Sequence, residues 1–265
     1  MIRLAVICSA AGVLMALAGN SPADELPLQP LQTLSLPAKN LMANQPTITN
    51  APTWKSSVTF GFTMTRGNSD TLLVTGKVLT QRKSNLNEWL FGADGAYGES
   101  DSVKNRETLH GFGQFNHFFT SRLFVFGRMD GLHDGIKNIK YRFSASTGLG
   151  YCLMQRTNSS FVVEAGPSLV TEQQGNKTET YTAARLAERF DYRINAAARL
   201  WQTAEIIPQV DQTANFIINA EIGIETVITK ELSLQVFLQD NYVNEPAATY
   251  KNNDVRLVSG LSYKF

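Results

Sequence analysis

Arg128 and Asp130 stand two residues apart with opposite charges, and in an extended strand that spacing puts both side chains on one face. Glu221 and Glu225, four residues apart, also share a strand face, with like charges. The same parity adds Arg142, Glu164, Glu205 and Arg256, together with Lys77, Asp94 and Lys264, and either Arg185 or Glu188 where the register is ambiguous. Mixed charges on one face of a closed sheet can do two things. They can pair into a network that plugs the interior, or they can line a polar channel for small solutes.

Nucleophilic and metal chemistry find less support. The three histidines are His110, His117 and His133. His117 shares a face with Leu109 and Phe115, and a lipid-facing His beside a Ser would suit a membrane-embedded lipid hydrolase. No Gly-x-Ser-x-Gly setting accompanies it. His110 is expected to point inward. His133 lies in "DGLHDGIKN" near Asp130 and Asp134, and one His with two carboxylates falls short of a metal set. No DxDxDG-type calcium loop occurs either. The expectation is therefore no catalytic residue, no cofactor and no metal.

The elements that carry these residues have a period of two from Trp54 onward. "WKSSVTFGFTMT" sets Trp54, Val58, Phe60, Phe62 and Met64 against Ser57, Thr59, Gly61, Thr63 and Thr65. "YRFSASTGLGYCLM" sets Tyr141, Phe143, Leu149, Tyr151 and Leu153 against Arg142, Ser144, Ser146 and Cys152. Polar breaks divide the region into about twelve strands: 54–66, 70–82, 88–98, 106–119, 122–133, 139–154, 160–172, 178–191, 198–209, 214–228, 231–243 and 253–265. Alternation is weak in 122–133, where Phe124 and Phe126 oppose Leu123 and Val125. Breaks such as "TSR", "QRTNS" and "TKE" are short, whereas "ESDSVKN", "TEQQGNK" and "NEPAATYKNN" are expected to be longer loops at the other end.

Aromatic residues sort with the breaks. Trp54, Trp89, Phe119, Tyr151, Phe161, Trp201, Tyr263 and Phe265 map to the short-turn end, and Tyr97, Tyr141, Phe143, Tyr181 and Tyr242 to the other. Two belts of rings around an aliphatic band are what the two interfaces of a bilayer select. Small soluble barrels also alternate, with the apolar face inward. Strand length, ring placement and the export signal choose the lipid-facing alternative.

That signal is "MIRLAVICSAAGVLMALAG": Arg3, an apolar run from Leu4, and a small-x-small cleavage pattern ending at Ala18. Removing Arg3 takes the formal charge from +1 to 0, which argues against nucleic acid as a partner. Only Cys152 remains in the mature chain, so no internal disulfide can form. Residues 19–52 hold Pro22, Pro27, Pro30, Pro37, Pro46 and Pro52 and no sustained period, and read as a disordered Pro-rich periplasmic leader. The expected organisation is a signal peptide over 1–18, the leader over 19–52, and an all-β, monomeric, transmembrane antiparallel barrel over 53–265.

"TRGNSDTLLVTGKV", with Gly67, Asn68 and Ser69 at the first hairpin, resembles the opening of the salt-induced outer membrane protein family. At that hairpin Gly67 and Asn68 also suit a tight turn on steric grounds alone. The resemblance implies a Gram-negative outer-membrane β-barrel with no established reaction, possible involvement in salt stress, and outer-membrane lipid as surroundings. The closing "GLSYKF" is similar to the signal read by the barrel-assembly machinery, with Phe265 as its terminal residue. Three functions stay open at this point: a narrow passive pore or envelope barrel, a barrel-embedded lipid-modifying enzyme, and a soluble secreted binding barrel.

Overall fold

Alternating side chains produce twelve strands, and hydrogen bonding between neighbours closes them on themselves. The computed structural model of the protein describes residues 53–65, 70–245 and 252–265. In chain order these form β1 (Trp54–Thr65), β2 (Thr71–Lys83), β3 (Asn87–Ser100), β4 (Val103–Phe118), β5 (Leu123–Asp134), β6 (Ile139–Gln155), β7 (Ser159–Gln174), β8 (Lys177–Arg193), β9 (Ala198–Pro208), β10 (Phe216–Val227), β11 (Leu232–Val243) and β12 (Asn253–Lys264). Each pairs antiparallel with its sequence neighbours, and β12 pairs with β1, giving a closed barrel without crossovers. The expected signal peptide, the leader and the first-hairpin turn at Gly67, Asn68 and Ser69 lie outside the described residues. Among the described residues no helix is long and apolar enough to cross a membrane.

The faces of this barrel are inverted relative to a water-soluble one. Along β6, Tyr141, Phe143, Leu149, Tyr151 and Leu153 are exposed, while Ser144, Ser146 and Cys152 are buried. Phe60 and Leu149 are each 57% exposed, whereas Ser262 is 0%. Exposed apolar residues occur on every strand but β9, from Val58 on β1 to Leu261 on β12. A contiguous apolar exterior of this extent aggregates in water and is stable against acyl chains.

One end of the barrel is finished by a repeated device. At five turns the backbone N–H of Ser84, Thr120, Arg156, Asn195 and Thr229 donates to the carbonyl three residues on, at 2.8–3.3 Å. Three of these turns are locked by their first side chain. Thr120 Oγ1 accepts from the N–H of Leu123 at 2.9 Å, Thr229 Oγ1 from Leu232 at 3.0 Å, and Asn195 Oδ1 from Ala198 at 2.8 Å. Short polar side chains at the first turn position do this readily.

The opposite end differs from the sequence-based expectation. "ESDSVKN" and "TEQQGNK" are not long loops. Asp101 and Ser102, with φ of 50° and 63°, make a two-residue hairpin between β3 and β4. Gly175, with φ of 60°, turns β7 into β8. The polar residues that suggested loops continue the strands instead, so β4 and β7 reach 16 residues and β8 reaches 17. "NEPAATYKNN" falls largely outside the described residues.

Inside, ring size is accommodated by glycine. A Cβ on Gly150 would lie 2.0 Å from the ring of Phe124, and one on Gly223 would lie 2.3 Å from the Trp201 indole. Each ring therefore lies flat over a bare stretch of neighbouring backbone. Gly150→Val is expected to cost at least about 1–3 kcal/mol through overpacking, read as a lower urea midpoint of the refolded barrel. An unchanged midpoint would show that Phe124 can move aside without loss.

Candidate functional site

Strand parity fixes what faces the interior, and the interior is a layered set of ion pairs around one cavity of about 440 Å³. Its lining includes Arg128, Asp130, Arg142, Glu164, Glu205, Glu221, Glu225 and Arg256. Along β12 it runs from Asp254 near one end of the strand to Lys264 at the other.

Toward the two-residue hairpins, the lumen is bridged from opposite walls. Asp254 on β12 accepts from Arg106 on β4 at 3.2 Å and from Lys137, in the turn after β5, at 3.0 Å. Lys137 also donates to Asn241 on β11 at 2.9 Å. Arg142 pairs with Glu172 on the adjacent strand.

At mid-height three knots form. In the first, His110 lies between Asp94, 3.0 Å from Nδ1, and Asp130, 3.5 Å from Nε2. Arg128 holds the other side of Asp130 through Nε at 2.9 Å and reaches Gln114 at 3.1 Å. In the second, Glu164 accepts from Arg185 at 2.9 Å, from Arg189 at 3.2 Å and from Gln114 at 2.9 Å. Arg185 also reaches Glu205 at 3.0 Å. In the third, Glu221 on β10 accepts from Lys77 on β2 across the lumen at 3.0 Å, from Trp201 Nε1 at 2.7 Å and from Gln239 at 2.7 Å.

Near the short turns, Glu225 gathers Arg199 at 3.2 Å, Ser233 at 2.7 Å and Lys264. At the same end of the barrel, Phe118, Phe124, Phe126, Cys152 and Val162 form a buried cluster. Phe124 and Phe126 therefore point inward while Leu123 and Val125 face out, which decides the weak alternation of β5. The Arg185 guanidinium lies over the Phe126 ring at 5.4 Å.

Lone charges in a low-dielectric wall are costly, and each carboxylate in these knots has at least one cation or amide within hydrogen-bond distance. Arg256 stands apart. Among the described residues it makes no ion pair, and its Nε is buried without a hydrogen-bond partner.

Several placements differ from the expected ones. Trp201 belongs to no interfacial ring: it is 8% exposed, faces inward and donates to Glu221. Its parity with Glu205 carried that information, but an aromatic at a strand end reads equally as a belt residue. Phe161 is buried opposite Phe190 rather than presented as an exposed ring. Of the ambiguous pair, Arg185 takes part in the knots, and Glu188, of opposite parity, also lines the cavity and accepts from Gln202 at 3.0 Å. Arg189, Asp191 and Arg199 were missed, although the first two continue the two-residue spacing from Arg185 and the third shares parity with Glu205. His117 Nδ1 lies 2.7 Å from Asn87 Oδ1, and its ring meets Phe119 edge-on at 5.3 Å. An amide and a phenyl ring give it no nucleophile to activate. His133 Nδ1 binds the Lys140 carbonyl at 2.9 Å.

Comparison with solved structures finds similar barrels. The NanC porin superposes with a TM-score of 0.49 at 9% identity, covering 79% of this chain and 100% of that one. An outer membrane channel of the COG4313 group from Pseudomonas putida F1 gives 0.48 at 9% identity, covering 83% and 100%. The translocator domain of the autotransporter NalP from Neisseria meningitidis gives 0.45 at 11% identity, covering 80% and 88%. No curated protein matches the chain in sequence. A family model does match, over residues 58–265, from Val58, the fifth residue of β1, to the final aromatic: the chain belongs to the family described as protein of unknown function DUF481.

Proposed function

We propose that the protein is an outer-membrane β-barrel acting as a narrow passive pore for small polar solutes. One observation carries this reading: a polar cavity follows β12 from Asp254 to Lys264 inside a barrel whose outside is apolar. A volume of about 440 Å³ falls within the range of small-molecule sites, ~300–1,000 Å³, and suits solutes of monosaccharide or amino-acid size. Charges of both signs line it, so strong selection between small cations and anions is not expected. A soluble binding barrel would have to keep its exposed rings and aliphatic residues in water.

The same proposal includes export with cleavage near Ala18, a periplasmic leader, and membrane insertion through an assembly machinery that reads Phe265. It also includes an envelope role under salt or osmotic stress, which is the part that rests on the family resemblance alone.

Single-channel recording in planar bilayers tests the pore. Wild-type protein is expected to give small, steady openings. Phe126, 1% exposed within the inner cluster, backs the cavity-lining Arg185 guanidinium, which lies 5.4 Å from its ring. Phe126→Ala is expected to raise conductance severalfold while costing about 3–5 kcal/mol of stability. A folded barrel with no conductance in either form would remove the pore.

A further inference from the structure

Barrel closure is uneven. β1 and β12 are both 12 residues long, yet their register runs only from Ser57 with Lys264 to Phe60 with Leu261, extended by Ser56 bonded to Phe265. On its other side β1 pairs with β2 along its whole length, from Trp54 with Arg82 to Thr65 with Thr71. The seam between the first and last strands is therefore joined only toward the short-turn end.

Hydrogen-bond alternation tells which groups are left over. Ser56 exchanges both backbone bonds with Phe265, at 3.0 Å each, so even residues of β1 and odd residues of β12 face the seam. Beyond Phe60 and Leu261 the next such residues are Phe62 and Met64 on one side and Ser259, Leu257 and Val255 on the other. None of these pairs across the seam among the described residues.

The strands part at two facing glycines. A Cβ on Gly61 would lie 2.9 Å from the Ser259 carbonyl oxygen, and one on Gly260 would lie 2.7 Å from that of Phe60. Above that close approach Thr63, which has the inward parity of the buried Ser57 and Thr59, is exposed. The slot is flanked on the outside by Phe62, Met64, Val255 and Leu257, all exposed, with Leu257 at 68%. Unpaired strand edges in hydrocarbon are costly, and a built-in gap of this kind calls for an occupant.

Immediately behind the slot, on β12 itself, stands Arg256. Nearby carboxylates are already engaged: Asp94 by His110, Glu221 by Lys77, and Asp254 by Arg106 and Lys137. A guanidinium with a buried, unpartnered Nε beside a lipid-facing apolar slot is matched to one kind of molecule.

We propose that the gap between β1 and β12 is a lateral portal between lumen and membrane for a single-chain anionic amphiphile, its head held by Arg256 and its acyl chain passing out between Phe62 and Leu257. The proposal rests on the membrane-embedded barrel described above but not on ion conduction. A strand-adding peptide could also satisfy the free edges, but it would leave Arg256 without an anion and would not favour a charged head.

Oleate, with methyl oleate as neutral control, tests this on the full chain folded in detergent, with heat-modifiable gel mobility as the check on folding. Saturable oleate binding is expected, with methyl oleate bound at least tenfold more weakly. Arg256→Gln is expected to lower oleate affinity at least tenfold. Phe62→Cys with Ser259→Cys, in a Cys152→Ala background, places two thiols at positions that a continued register would bring to about 5.5 Å between Cα atoms. Oxidation is expected to reduce oleate binding at least tenfold, and reduction to restore it. Equal binding by wild type and Arg256→Gln, equal binding of oleate and methyl oleate, or no binding at all would overturn the portal. If the thiols do not join, the Arg256→Gln comparison decides. Conductance of the locked barrel is read in parallel: absence of current in every form removes the pore alone, while current with oleate binding indifferent to lock and charge removes the portal alone.

Discussion

Glu164→Ala is expected to lower the unfolding free energy of the barrel by about 3–5 kcal/mol, the cost of stranding buried partners of an ion pair. Glu164 sits with Arg185, Arg189 and Gln114 directed at its two oxygens. Without it Arg185 keeps Glu205, but Arg189 loses the only carboxylate within ion-pair distance of it among the described residues. Two guanidinium groups would then face each other around an empty volume. Urea titration of protein refolded into lipid vesicles measures the loss. Adding Arg189→Gln to Glu164→Ala is expected to recover part of it, because the uncompensated charge goes too. Since the single change adds net positive charge to the lumen wall, reversal potentials should move toward anion preference. A loss under about 1 kcal/mol would mean that water already solvates this knot and that the network is looser than its geometry.

Leu149→Arg is expected to cost about 2–4 kcal/mol, as a cation on the lipid face near the bilayer midplane does. Leu149 is 57% exposed in the middle of β6, paired with Val125 and Ala165. The same charge at Tyr141, near the interface, should cost about 0–1 kcal/mol. That depth dependence separates lipid exposure from generic intolerance of mutation. Spin labels at Phe60, Leu149 and Ile222 should also relax faster with oxygen than with a water-soluble nickel complex. Equal costs at Leu149 and Tyr141, or labels shielded from oxygen, would turn the barrel inside out.

Legibility followed the clarity of alternation. Where one parity was aliphatic and the other polar, as in β1, β6 and β12, strand, face and boundaries could be read directly from the chain. The closed antiparallel sheet of twelve strands agrees with that reading. In β5 both parities are apolar, so Phe124 and Phe126 could not be distinguished from Leu123 and Val125 until neighbouring glycines showed which side had room for rings. Trp201 misled for a related reason: amphipathic rings suit a membrane interface and an internal carboxylate equally well. Polar residues around Asp101 and Gly175 looked like loops because strands that leave the membrane no longer need an apolar face. The cross-lumen contacts, such as Lys77 with Glu221 and Arg106 with Asp254, join strands far apart in sequence and have no local signature. The partial seam was equally invisible, since nothing in β1 or β12 as separate strings states how far they pair.

Crossing hydrocarbon takes ~9–11 residues per strand. β6, β7 and β8 have 17, 16 and 17, whereas β1, β10, β11 and β12 each have 12. The surplus stands as a stiff, hydrogen-bonded parapet along one arc, and the strands opposite stop lower. A bulky molecule approaching that end, such as a polysaccharide, would meet a hydrogen-bonded fence along this arc before it reached the cavity.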